Sequence, residues 1–208
     1  MELQFYGANC IKIVNKKVSV VIDDNLSSYG LKPVASAKDI VLSTGGIELP
    51  KESHFGIEHP GEYEVADVSI QGIAARGHMD ESSTARSTTM YRIIIDGIRI
   101  VVTGHIYPDL SDTQLEALGT VDVLFVPVGG HGYTLDGLGA QKIIKDIEPK
   151  VVIPTHYADA KFNFEVPQSE LDEVIKVLAM EPADRLDSLK LKNFDLGDAT
   201  KLIVLNRQ

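Results

Sequence analysis

The feature that most constrains this chain is the run Val121 to Val128, in which Val121, Val123, Leu124, Phe125, Val126 and Val128 form a near-continuous apolar stretch stopped by Gly129-Gly130. Such a run suits a strand buried on both faces, which requires packed layers above and below it. Leu138, Ile143, Ile144 and Ile147 then recur as roughly one helical stripe, and Pro149 ends it. Val151, Val152 and Ile153 begin a second apolar strand. The result is a strand, helix, strand unit whose strands end in unusual residues, Gly129-Gly130-His131-Gly132 and Thr155-His156-Tyr157. In open α/β sheets chemistry collects at the carboxyl ends of strands, so these two ends are the first place to look for a site.

Before this unit the chain is rich in hairpins. Leu3, Phe5, Ile11, Ile13 and Val14 lead through a polar turn at Asn15-Lys16-Lys17 to an apolar strand at Val18 to Ile22. Asp39 to Ser43 is a further short strand with a glycine-rich exit, Thr44-Gly45-Gly46. Tyr63 to Ile73 reads as paired strands turning near Ala66-Asp67, and Arg76 to Ser87 as a polar loop suited to an active site. The clearest hairpin is Thr88 to Thr103 around Asp96-Gly97, because Asp-Gly between alternating apolar runs favours a two-residue turn. Ser111-Asp112 caps a short helix ended by Gly119, and a second amphipathic helix is expected over Gln168 to Met180. Strands over Ser188 to Phe194 and Lys201 to Leu205 close the chain. This order predicts an α/β protein in which two sheets pack face to face with helices outside, as one domain over 1–208.

Composition narrows the function. A net charge of -10 argues against a nucleic-acid backbone or an anionic membrane as the main partner, since both need a basic face. No apolar run approaches the length needed to span a bilayer, and MELQFYGANC lacks the basic and apolar regions of a secretory leader, so a cytoplasmic location is expected. The lone Cys10 sits in an apolar stretch and reads as a buried filler. No G-x-S-x-G elbow and no phosphate-binding P-loop occurs, which disfavours covalent serine chemistry and nucleotide binding.

GEYEV at Gly61 to Val65, the IIIDGIRIVVTG hairpin, DTQLEALGTVDVLFVPVGG and EPKVVIPTHY together resemble the metallo-β-lactamase superfamily, and within it the zinc-dependent hydrolases related to ascorbate-6-phosphate lactonase. The resemblance implies a four-layer αββα sandwich with a metal centre at one edge. It also exposes a loss. The signature H-x-H-x-D-H, which holds most ligands of two zinc ions in that family, falls here on Thr44-Gly45-Gly46-Ile47-Glu48-Leu49, without a histidine. Glu48 stands at the aspartate position, His78 and His156 match later histidine ligands, and His105 occupies the bridging-aspartate position.

A catalytic zinc ion commonly takes three protein ligands and an open position, so the dinuclear centre should not assemble. The leading expectation is therefore a non-catalytic binding or assembly module. The alternative is a hydrolase of an ester, lactone or phosphoester with one zinc or manganese ion on His78, His105 and His156, and with Glu48 or Asp136 as base or acceptor of a hydrogen bond from a ligand. Against that alternative stands the bland reading of each loop histidine as a surface or hydrogen-bonded residue. His54, His59 and His131 are expected to be exposed or to serve turns. Arg76 and Arg86, flanking Ser82, Ser83 and Thr84, are candidates to hold a phosphate or carboxylate, against the plainer reading of solvated loop charges. The partner is an unspecified small molecule or protein, and assembly into a homo-oligomer is compatible with the sequence.

Overall fold

A computed structural model describes residues 1–49, 55–192 and 196–208; His54 and the end of the strand expected over 188–194 lie outside the described residues. One sheet contains β1 (Glu2–Gly7), β2 (Cys10–Val14), β3 (Ser19–Ile22), β4 (Ile40–Leu42), β5 (Phe55–Ile57) and β13 (Leu189–Lys190), in the order β13-β1-β2-β3-β4-β5. The other contains β6 (Gly61–Val65), β7 (Val68–Ala75), β8 (Thr88–Ile95), β9 (Ile98–Val102), β10 (Val123–Pro127), β11 (Val151–Thr155), β12 (Pro182–Leu186) and β14 (Lys201–Leu205), in the order β12-β14-β11-β10-β9-β8-β7-β6.

The apolar run from Val121 to Val128 supplies β10, paired in parallel with β9 and β11. Its alternation assigns each residue a layer. Val123 and Phe125 join Leu3, Phe5, Ile13 and Ile40 in the core between the sheets, whereas Leu124 and Val126 join the helices on the outer face. Those helices are α1 (Asp112–Leu118), α2 (Gly137–Ile147) and α3 (Leu171–Leu178). The outer face of the first sheet is covered by a 3-10 turn at Leu26–Tyr29 and by Phe162, which pack on Ala8, Cys10 and Val21. Cys10 is buried, as an apolar filler should be. This is the sandwich the sequence predicted, with the helical layer on one side reduced to a single turn.

Ser111 and Gln114 form a reciprocal capping box at the start of α1, and Gly119 ends it. In α2 the buried stripe is Ala140, Ile143, Ile144 and Ile147, while Leu138 is 67% exposed. Leu138 does not belong to the stripe because five residues turn a helix through about 500°, far from the face of Ile143. Helix α3 starts later than expected, since the backbone of Ser169 donates to Gly129 O at 2.8 Å and accepts from Ala158 at 3.0 Å. Two strands went unread in the sequence, β5 with three residues and β12, whose PADRL has no apolar alternation.

Candidate functional site

Turns from both sheets meet at one edge of the sandwich. The β1–β2 turn supplies Asn9, the exit of β3 supplies Asp23, and the exit of β4 supplies Thr44. From the second sheet come His78 after β7, His105 after β9 and His156 after β11. The two sets are stitched together by the His156 N–H donating to Ala8 O at 2.7 Å and by Thr89 N–H donating to Thr44 O at 2.7 Å. His156 adopts φ 51, a left-handed conformation that costs a non-glycine residue energy and is held by its surroundings.

Hydrogen bonds fix how each imidazole is presented. Thr155 Oγ1 donates to Asn9 Oδ1 at 2.8 Å, which leaves the Asn9 amide nitrogen to donate to His105 Nε2 at 3.0 Å. His105 must therefore accept at Nε2 and carry its proton on Nδ1, a buried atom with no hydrogen-bond partner. Gln168 Nε2 donates to Val166 O at 2.7 Å, so its Oε1 accepts from His156 Nδ1–H at 3.1 Å. A β-carbon at Gly129 would collide with Gln168 Oε1 and His156 O, so only glycine lets Gln168 approach. His78 Nδ1–H donates to Ile106 O at 3.3 Å. In both His78 and His156, Nε2 keeps its lone pair.

The electrostatics keep His105 and His156 uncharged. Burial, then His156 and His78, pushes the pKa of His105 down to about 3. Burial also lowers His156 to about 4, outweighing the opposing bond to Gln168. A small part of the His105 ring remains open to a cavity of about 270 Å³ bounded by Thr44, Gly46, His78, Asp80 and Tyr133. Thr44 is buried and takes both oxygens of Asp23, through its N–H at 2.7 Å and its hydroxyl at 2.6 Å. Burial nonetheless raises Asp23 to about 6. Thr44 also abuts Gly104, whose φ of 62 and lack of a β-carbon admit the threonine side chain.

The other sequence candidates lie elsewhere. Glu48 is exposed and lines a neighbouring cleft with Asp24 and Asn25 that meets the histidine cavity only at Gly46. Asp136 caps α2, its Oδ1 accepting from Gly139 N–H at 2.8 Å. The Arg76 guanidinium donates to Asp80 O at 2.8 Å and stacks 3.7 Å from the Tyr107 ring centroid, and exposed Arg86 donates to the carbonyls of Ser83 and Ala85. His59 and His131 are exposed, the latter in a turn at φ 54. Sequence reading missed Asn9, Asp23, Tyr133 and Gln168. Only the position of Asn9 between two apolar strands could have marked it.

A family model described as the β-lactamase superfamily domain matches residues 2–156. The chain belongs to that superfamily. It is 25% identical over 196 residues to a protein of Lysinibacillus sphaericus named a metal-dependent hydrolase, covering 76% of this chain and 85% of that one. A Pyrococcus furiosus protein of the same name is 27% identical over 174 residues, covering 79% of this chain and 76% of the relative. Among solved structures, a Thermotoga maritima protein assigned to the zinc-dependent hydrolases of the metallo-β-lactamase superfamily superposes with a TM-score of 0.76 at 24% identity, over 99% of this chain and 98% of that one. The Ignicoccus hospitalis metallo hydrolase Igni18 gives 0.60 at 18% identity, over 86% and 90%.

At this edge the described side chains do not present a three-ligand metal set. Among the described residues no three His, Cys, Asp or Glu side chains converge as a ligand set. His78 and His156 each offer one nitrogen, but the lone pair of His105 Nε2 is engaged by Asn9 and its Nδ1 is protonated. Two imidazoles fall short of the three ligands that a catalytic zinc ion commonly takes.

Proposed function

We propose that the histidine edge is the ligand pocket of a hydrolase-type protein that has lost the two-metal centre. It binds a small ester, lactone or phosphoester, or a protein presenting such a group, without activating water on paired metals. The relatives are named metal-dependent hydrolases, which supports a hydrolysable ligand, and the choice of ester, lactone or phosphoester rests on the sequence resemblance alone. The observation that carries the loss is the Thr155–Asn9–His105 chain, which spends the one imidazole lone pair that a third ligand would need. In this reading the buried Thr44 fills the place of the first signature histidine, and Gly45 and Gly46 keep the mouth open.

A second reading is a hydrolase with a single metal on His78 and His156. It is supported by the relatives being named metal-dependent hydrolases. It is supported too by each Nδ1–H being held on an oxygen, the arrangement in which a histidine presents Nε2 to a metal. The relatives' names favour this second reading, and the donor set of this chain favours the first.

Metal content per chain, after expression with zinc and manganese supplied, separates them when measured for the wild type and His156→Ala together with turnover of ester, lactone and phosphodiester substrates. The first reading expects a metal-free wild type with no turnover. About one metal per chain, lost with turnover in the variant, would replace it with the second.

A further inference from the structure

Beside the histidine cavity, four rings form a horseshoe. Tyr29 meets Phe164 edge-on with centroids 5.4 Å apart, Phe164 lies 4.9 Å from His156, and His156 lies 5.6 Å from Tyr133. The two ends, Tyr29 and Tyr133, both line a cavity of about 410 Å³, together with Phe164 and Glu165. Phe162 braces the horseshoe from behind, stacked on Phe164 at 5.4 Å and edge-on to Tyr29 at 4.9 Å. The rings come from three separate segments, the 3-10 turn, the loop after β10 and the loop between β11 and α3.

The charge around this cavity has one sign. Its lining includes Glu165 and, among the described residues, no lysine or arginine. Burial raises the pKa of both phenols, and the charges of neighbouring groups, Glu165 among them, raise each further. Aromatic faces carry negative electrostatic potential, so rings that share a cavity with a carboxylate favour a cation. A primary ammonium brings three donors, each wanting an acceptor. The ring faces offer it none, and the Gln168 oxygen already accepts from His156, so its side-chain acceptors would be Glu165, Ser28 and Asn163. A methylated ammonium has a diffuse charge and apolar methyl groups, and aromatic walls suit both.

We propose that Tyr29, Tyr133 and Phe164 form a box for a quaternary or methylated ammonium headgroup, with Glu165 as its counter-charge. Tyr133 is also a wall of the histidine cavity, so the two sites adjoin. The box does not depend on whether that cavity holds a metal or turns over a substrate.

The test is calorimetric titration of the full chain with choline and tetramethylammonium, with 3,3-dimethyl-1-butanol as the uncharged isostere of choline and ethanolamine as the primary amine. Choline and tetramethylammonium are expected to bind saturably, and the isostere at least about ten-fold more weakly. Their N-methyl proton resonances should move upfield on binding, as ring currents require. Tyr133→Leu and Glu165→Gln, both at exposed positions, should each weaken choline about three- to thirty-fold with an unchanged thermal melt. Should Tyr133→Leu fail to fold, Glu165→Gln and the isostere still decide. Equal affinity for choline and the isostere, tighter binding of ethanolamine, or no saturation with choline at tens of millimolar would each overturn the proposal.

Discussion

At the scale of single residues, the site is governed by Asn9, a side chain from a turn 96 positions away from the histidine it holds. Its amide is pinned at both ends, by Thr155 and by His105, and that double attachment selects one tautomer of the imidazole. Nitrogen-15 NMR of the wild type should show His105 protonated at Nδ1 and silent to titration down to about pH 5, since its pKa lies at about 3. Asn9→Ala should abolish the tautomer preference and destabilise the fold by about 1–3 kcal/mol, because two buried polar partners lose their bond. Chemical denaturation of the two proteins measures the second effect. His105 and His156 were legible in the sequence by their place at strand exits, and His78 through the family resemblance. Their availability was not, because a tautomer depends on partners distant in the chain.

At the scale of elements, α2 shows how a residue's structural use can exclude a chemical one. Asp136→Ala should cost about 1 kcal/mol as a lost N-cap while leaving ligand affinity at the histidine cavity unchanged. A loss of affinity without a loss of stability would return Asp136 to the site. The same helix separates apolar residues that the sequence placed on one stripe. Ile143→Ala should destabilise by about 2–5 kcal/mol, and Leu138→Ala by no more than about 0.5 kcal/mol, because only the former is buried. Thermal or denaturant unfolding of the pair gives the comparison. Hairpins, caps and the parallel unit were readable because turn chemistry and apolar period are local. The short β5 and the polar β12 were not, since their pairing is decided by the neighbouring strands β4 and β14.

At the scale of the whole molecule, the buried edge should make stability depend on pH. Between about pH 6 and 5 the folded His105 and His156 stay largely neutral, with pKa values of about 3 and 4, while unfolded histidines are protonated. Folded Asp23, with its pKa raised to about 6, works in the opposite direction by holding a proton that the unfolded carboxyl releases. Two protons taken up against one released leave a net uptake of one on unfolding. Stability should therefore fall by about 1.4 kcal/mol per pH unit as pH drops through that window, as denaturation at stepped pH would register. The sequence by itself determined the layers, because a strand apolar on both faces must be covered on both. It also determined that Thr44 to Leu49 carry no histidine, which is a matter of residue identity alone. Only the tertiary structure decided which imidazole lone pairs remain open, that Thr44 bonds Asp23 beside Gly104, and that rings from three distant segments line one cavity with Glu165. Each of these depends on contacts between residues remote in the chain, and such contacts leave no periodic trace in the sequence.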